Sequence, residues 1–379
     1  MKRDFMGESK LKKIVQEMID PSDIQINGKR PWDIHIHNPD FYGRVLSGGS
    51  LALGESYMDG WWDCEALDQF FERILENRLD KRVKVNTIPT LCAILKAKII
   101  NAQKGSKAYE IGKHHYDTGN DLFLSMLDKW LNYSCGYWNN SDNLDDAQEL
   151  KMDLICRKVD LKPGMEVLDI GCGWGGFAKY SAIKYGAKIH GITVSGEQAD
   201  FANEFCKGLD VNIELRDYRE LKGKKYDRII SIGMFEHVGR DNYRTFMRFV
   251  HGNLKDDGIF LLHTIGGNTS VHSTDPWISK YIFPNSMLPS AKQITSAAEG
   301  LFVLEDWHSF GQYYDNTLMA WYRNFTKNWK MLKDKYDDRF YRMWTYYLLS
   351  CAGSFRSRRN QLWQIVFSKG GIKGGYQYQ

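Results

Sequence analysis

Hydrophobic positions divide the chain into two regions of different rhythm. Up to about residue 104 the apolar residues recur at helical spacing, in LKKIVQEMI (11–19), ALDQFFERILENRL (66–79) and LCAILKAKIINA (91–102), and predict amphipathic helices. A turn-rich span, Ile24 to Gly60, separates the first two. The polar stretch Gln103 to Lys107 reads as a hinge. The boundaries expected are therefore a small, mainly helical domain over 1–104 and a larger domain over 105–379.

Beyond residue 164 short apolar runs alternate with helical patterns. Met165 to Ile170, Lys188 to Thr193, Ile213 to Asp217, Asp227 to Ile232 and Ile259 to Thr264 read as strands, and Ser195 with Gln198 three residues on has the form of a capping box. Phe302 to Trp307 and Trp363 to Phe367 would complete the sheet, while Asp315 to Ser354 reads as two aromatic-rich helices capping the strand ends. Near-continuous apolar strands alternating with helices predict an α/β fold whose mostly parallel sheet is covered on both faces. No internal repeat or low-complexity tract interrupts the pattern, and GGIKGGYQYQ at the end reads as frayed.

Composition narrows the class. With 379 residues, 43% hydrophobic and 26% charged, the chain has ordinary globular proportions, which exclude a disordered or fibrous protein. No run approaches the roughly 20 apolar residues that span a bilayer, and MKRDFMGESKLKKIVQ lacks the apolar core of a signal peptide, so the expected location is the cytosol. Seven cysteines without a CxxC pair argue for reduced thiols and against a zinc or thioredoxin-like site, and no metal is expected.

The net charge of +4 is unevenly spread: +2 over residues 1–113, −7 over 114–320 and +9 over 321–379, with +7 in Lys81 to Lys113 alone. Both basic stretches carry apolar residues, as in IPTLCAILKAKII and MWTYYLLSCAGSF, a combination that suits an anionic membrane surface. A solvated helix face and a nucleic-acid patch are the competing readings. No nucleic-acid motif accompanies the charge, so no nucleic-acid partner is expected.

The strongest local signal is Leu168-Asp169-Ile170-Gly171-Cys172-Gly173-Trp174-Gly175-Gly176, between a predicted strand and a predicted helix. Glycines let a ligand approach the backbone, and a helix N-terminus offers free N–H groups. The GxGxG spacing resembles motif I of S-adenosylmethionine-dependent methyltransferases more than a dinucleotide fingerprint. The second strand ends in Gly191-Ile192-Thr193 with no acidic residue for the ribose hydroxyls, which leaves those contacts to Thr193 and Gln198.

Further segments narrow the resemblance: His115-Tyr116-Asp117 with Gly119-Asn120-Asp121, Tyr133-Ser134-Cys135-Gly136-Tyr137-Trp138, Gly233-Met234-Phe235-Glu236-His237-Val238-Gly239, Leu261-Leu262-His263-Thr264-Ile265-Gly266, Asp275-Pro276-Trp277-Ile278 and Tyr281-Ile282-Phe283-Pro284. With the glycine loop, the chain resembles the cyclopropane-fatty-acyl-phospholipid synthases, differing at Gly136 where the family often has Ala. The resemblance implies a Rossmann-like class I methyltransferase fold, with 1–104 as a helical lipid- or membrane-docking domain and 105–379 as the catalytic domain. It implies transfer of a methylene group from S-adenosylmethionine to the cis double bond of phospholipid acyl chains.

An isolated alkene has no proton to lose on attack, so the reaction passes through a carbocation-like species that needs a water-free, aromatic site and one base. In the family the base is a bound bicarbonate. Matching by motif, the resemblance implies Cys135, Glu236, His263 and Tyr314 as its holders, with backbone atoms of Ile265. Tyr313 is adjacent to Tyr314, and sequence barely separates the two. For the cofactor the implied residues are Tyr133, Ser134, Gly171, Gly173, Gly175, Thr193 and Gln198, with Asp217 and Tyr218 near the adenine. Cys351, in LSCAGSF, is a further family candidate, although alkene methylation needs no sulfur nucleophile and a helical core position explains it equally. The aromatics near Tyr133, Trp138, Phe235 and Tyr313 to Trp321 suit a cation or a core.

Peripheral contact with the inner face of the membrane and a homodimer are also implied, and the first domain could dock on either membrane or partner subunit. Two rival functions follow from the same residues: a methyltransferase making a simple methylation of another lipid or small molecule, and a non-catalytic membrane-binding protein that kept the fold.

Overall fold

The computed structural model describes residues 5–79 and 119–378. The predicted 91–102 helix, the Gln103–Lys107 hinge, the Lys81–Lys113 basic stretch and the His115-Tyr116-Asp117 segment lie outside the described residues. Phe5–Ile19 (α1), His35–Ile36 (β1), Phe41–Met58 (α2), Trp62–Asp63 (β2) and Leu67–Glu76 (α3) come first, then Asn120–Met126 (α4) and Leu144–Lys158 (α5). Glu166–Ile170 (β3), Gly176–Tyr185 (α6), Lys188–Thr193 (β4), Gly196–Phe205 (α7), Val211–Leu215 (β5), Tyr226–Ile232 (β6), Tyr243–Asn253 (α8) and Leu254–Gly267 (β7) follow. Pro276–Tyr281 (α9), Ala291–Ala298 (α10), Val303–Ser309 (β8), Gln312–Leu332 (α11), Asp338–Arg356 (α12) and Asn360–Ser368 (β9) complete the series. Contacts separate a helical unit, made of the described residues up to Gly119 with Thr274–Pro284 and Phe325–Arg359, from a sheet unit made of the remainder.

In the helical unit α3 buries Leu67 and Phe70, as its spacing predicts. Phe70 meets Trp62 with ring centroids 5.3 Å apart, Phe71 meets Tyr346 at 5.1 Å, and Trp277 meets Tyr346 at 4.5 Å. Segments distant in sequence are joined by ion pairs Arg356–Asp68, Arg342–Asp63 and Lys280–Glu55, each 2.7 Å. Gly353 of α12 allows close passage over α3, since a Cβ there would lie 2.5 Å from the Asp68 carbonyl.

One element departs from expectation in this unit: the span read as turn-rich contains α2, 18 residues long and kinked at Gly49, whose φ is 58°. Gly49 does break the helix, with nothing within 4 Å of a Cβ there, whereas Gly54 serves packing. Gly54 lies against Trp277, and a Cβ there would fall 2.4 Å from the indole Cδ1.

The sheet unit carries seven strands in the order β5-β4-β3-β6-β7-β9-β8. The first five are parallel, and β9 runs antiparallel between β7 and β8. Successive strand residues enter opposite cores. Leu168, Ile229, Phe260 and Ile365 join one, whereas Val167, Ile230, Leu261 and Val366 join the other. Two covered faces explain why the inner strands read as largely apolar runs, whereas the edge strands β5 and β8 are mostly exposed or half-buried. All seven predicted strands are present. β7 runs further than expected, to Gly267, because β9 pairs with it through Gly267↔Asn360; Gly266 lacks the Cβ that would strike the Trp363 ring. The six described cysteines are free thiols. No described helix is long and apolar enough to cross a membrane.

Gly54→Ala should destabilise the protein by roughly 1–2 kcal/mol net, because the clash with Trp277 outweighs alanine's helix advantage of about 1 kcal/mol. Urea unfolding followed by far-ultraviolet circular dichroism checks this. A variant as stable as the native chain would mean that the Trp277 packing yields freely.

Candidate active site

The carboxyl ends of β3, β4 and β6 open onto a cavity of about 530 Å³. The chain turns sharply out of β3, where Gly171 and Gly173 take φ of 81° and 56°, a region costly for a side chain. The Gly171 and Cys172 amides donate to the Ile192 carbonyl at 2.9 and 3.1 Å, which holds the loop over β4. Tyr133, Ser134, Gly171, Gly173, Thr193, Gln198, Asp217 and Tyr218 all line this cavity, together with Asp169, Met234 and His237. Gly175 is not among its walls. It caps α6 with φ 83° and faces α7, where a Cβ would approach Ala202 and Cys206 at 3.1 and 3.2 Å.

The predicted capping box at Ser195 forms only in half. Ser195 Oγ accepts from the Gln198 amide at 3.4 Å, but the Gln198 side chain turns instead to accept from Thr193 Oγ1 at 3.0 Å. Thr193 and Gln198, the two residues left to replace the missing acidic group, are thus joined at the cavity wall. Asp217 is paired with Arg219 through Arg219 Nε at 2.9 Å, and this guanidinium holds its carboxyl below the usual range.

Behind Ser134 stands a buried polar network that the sequence pattern did not disclose. α5 contributes Gln148, whose amide donates to the Ser134 carbonyl at 2.8 Å, and Lys151, whose Nζ donates to Ser134 Oγ at 2.9 Å and Asn132 Oδ1 at 3.1 Å. Asn132 passes the chain on to Asp128, donating from Nδ2 at 3.0 Å. Both α5 residues are fully buried, and desolvation lowers the Lys151 pKa to about 8. Asp169, also buried, has one oxygen without a partner, and desolvation pushes its carboxyl up to about 7.

Five of the six predicted catalytic residues belong to the sheet unit. Glu236 sits in the short turn after β6, and its Oε1 accepts from the Ile265 amide at 2.7 Å; Oε2 has no partner. Burial pushes this carboxyl up to about 7. His263 faces Gln364 across the β7–β9 ladder, with Gln364 Nε2 and His263 Nδ1 3.3 Å apart. Burial drives the imidazole pKa well below its ordinary value, so the ring is neutral. The other ring nitrogen, Nε2, is a buried atom without a partner. Gly233 at the cavity wall donates its amide to the His263 carbonyl at 2.9 Å, which couples β7 to that wall.

Cys135 is fully buried, and desolvation raises its thiol pKa, so it is a neutral thiol. Thr317 of α11, a residue missed in sequence, docks this loop. Its Oγ1 accepts from the Gly136 amide at 3.0 Å and Trp138 Nε1 at 2.9 Å, and it lies 3.9 Å from Cys135 Sγ. Tyr314, one helical turn earlier, meets Trp321 edge-on with centroids 6.1 Å apart. Trp321 in turn meets Tyr133 at 5.1 Å, and Tyr133 meets Phe123 at 5.1 Å, a run of rings reaching the cavity wall. Phe235 instead stacks on Tyr243 in the core at 4.3 Å. Cys351 lies on α12 in the helical unit, where burial pushes its thiol up to about 12.

Comparison with known proteins agrees with this geometry. The family model described as mycolic acid cyclopropane synthetase matches residues 103–365. The chain is 54% identical over 358 residues to the cyclopropane-fatty-acyl-phospholipid synthase of Escherichia coli (strain K12), spanning 94% of this chain and 93% of that one. Among solved structures, the cyclopropane synthase MmaA2 from Mycobacterium tuberculosis superposes with a TM-score of 0.64 at 30% identity, covering 69% of this chain and 98% of its own. Mycolic acid cyclopropane synthase CmaA1, in complex with SAH and CTAB, gives 0.63 at 30% identity over the same shares. An α/β sheet of this order, a glycine loop opening on a cavity and these matches together place the chain in the mycolic acid cyclopropane synthetase family.

Proposed function

We propose that this chain transfers a methylene group from S-adenosylmethionine to the cis double bond of unsaturated phospholipid acyl chains, leaving a cyclopropane ring. It is an S-adenosylmethionine-dependent enzyme, and the observation that carries the finer reading is a complementary pair of buried, unpartnered atoms. Glu236 Oε2 is an acceptor and His263 Nε2 a donor. Leaving either unmatched costs roughly 1–3 kcal/mol, a cost that a bound oxyanion carrying one proton would relieve. Bicarbonate has that donor and acceptor inventory.

S-adenosylmethionine supplies an electrophilic methyl group when bound, and bicarbonate a base. The chain's own residues do the rest. The cavity wall offers Thr193 and Gln198 for ribose hydroxyls, and Asp217 with Tyr218 for the adenine. Asp169 and Ser134 offer an acceptor and a hydroxyl for the amino-acid end. His263 Nε2–H, the Tyr314 hydroxyl and the Cys135 thiol are donors suited to an anion, while ionised Glu236 accepts a proton-bearing oxygen. Tyr133 and Trp321 present ring faces to a developing positive carbon and exclude water. A protonated Cys135 is not a nucleophile; its thiol donates to the Gly136 carbonyl at 3.2 Å and would turn from it to an anion.

Docking on an anionic bilayer is assigned to the basic, apolar stretches. Each Lys or Arg near such a surface contributes about 1 kcal/mol, and less as salt rises. The resemblance supports peripheral contact at the inner membrane face, with the N-terminal region docking and the protein acting as a homodimer.

Liposomes of unsaturated phospholipid with labelled cofactor test the activity. Mass analysis should find acyl chains enlarged by one CH₂ with the alkene gone; a methylated headgroup with an intact alkene would favour simple methylation. Glu236→Gln and Cys135→Ala should each lower turnover more than about 100-fold while cofactor affinity, by calorimetry, stays near native. Equal losses in both would remove the catalytic assignment.

Glu236 also predicts a pH effect on stability. Its folded pKa of about 7 exceeds the ordinary 4.5, so ionising it disfavours the folded state. The penalty is absent below about pH 4.5 and complete above about pH 7, where it reaches roughly 3 kcal/mol. Glu236→Gln should therefore stabilise the ligand-free protein by up to that amount near pH 8, with the gain fading towards pH 4.5, in urea titrations at each pH.

A further inference from the structure

Lys151 is a fully buried lysine with no carboxylate within ion-pair distance among the described residues; its two hydrogen-bond partners are Ser134 Oγ at 2.9 Å and Asn132 Oδ1 at 3.1 Å. An ammonium group only donates. Asn132 is held in the matching orientation by its own donation to Asp128, 3.0 Å from Nδ2 to Oδ2, and its backbone amide donates to the same carboxylate at 2.8 Å. The relay has a direction: cation to amide oxygen, amide nitrogen to carboxylate. That direction decides what Ser134 can do.

A serine hydroxyl that accepts from an ammonium has its own proton left to give. Ser134 lines the cavity, so the proton is available to a ligand there, and the hydroxyl is polarised by the charge behind it. Asp169 also lines the cavity and has an unpartnered oxygen, an acceptor suited to an ammonium group. Together they form a donor and an acceptor for a zwitterion. Burying the lysine is costly, and a neutral side chain would support Ser134 more cheaply if structure were its only role.

We propose that Lys151 is a positioning residue that fixes the Ser134 hydroxyl as a hydrogen-bond donor into the cavity, and so selects nucleosides whose amino-acid end carries a carboxylate. This rests on reading the cavity as the S-adenosylmethionine site. Lys151 does not touch the ligand itself. It acts through Ser134 and through the positive charge it holds beneath the carboxylate.

Calorimetry with two probes tests the proposal on the full chain: S-adenosylhomocysteine, which has the amino-acid end, and 5′-methylthioadenosine, which lacks it. Lys151→Met should weaken the first about 30-fold and leave the second within about twofold, and Ser134→Ala, which leaves the buried cation in place, should show the same selectivity. Equal weakening of both probes by Lys151→Met, or of neither, would overturn the proposal, because a merely structural lysine cannot tell them apart. Should Lys151→Met fail to fold by circular dichroism, Lys151→Gln, which keeps a donor without the charge, is read by the same criterion, and equal weakening of both probes by Ser134→Ala would overturn the proposal. Native protein that bound neither probe would instead overturn the cofactor reading on which the proposal rests.

Discussion

Polar groups that the protein itself does not satisfy gather around the carboxyl ends of its central strands. Asp169 in β3, Glu236 just after β6 and His263 in β7 are each buried, and each keeps one hydrogen-bonding atom without a partner among the described residues. At roughly 1–3 kcal/mol apiece, such groups are a large fraction of a typical folding free energy. The rest of the sheet unit must supply that stability, which its two apolar cores do from both faces. Open parallel sheets bind their ligands at these strand ends, and of the three residues Asp169 lines the cavity there.

Burial also sets the protonation states that chemistry would need. The same desolvation lifts the Asp169 and Glu236 carboxyls to about 7, lowers the His263 imidazole and raises the Cys135 thiol. Neutral donors and near-neutral acids result. Lys151 follows the same trend, lowered to about 8, and reaches Asp128 through Asn132.

The helical unit follows a different logic. Its segments come from three parts of the chain and are joined by packed rings and partly exposed ion pairs, of which the rings carry more of the energy. Small residues at Gly54 and Gly353 let those rings and helices approach closely. Cys351 sits in this setting, where burial first and the charge of Asp275 second raise its thiol pKa.

The inner strands were legible because a sheet covered on both faces writes itself as apolar runs, and the glycine loop because its positive backbone angles favour glycine. The motifs around Cys135, Glu236 and His263 likewise pointed to this family without coordinates. Helix α2 was hidden by its glycines, of which Gly49 kinks it and Gly54 packs against Trp277, and α5 by Gln148, Lys151 and Lys158, which are buried although their types suggest solvent. The pairing of His263 with Gln364, the half-formed cap at Ser195 and the direction of the Lys151 relay were decided only by the fold. Local period records which side chains avoid water, whereas the partner a buried polar atom finds comes from residues far away in sequence, and only the folded chain brings them within bonding distance.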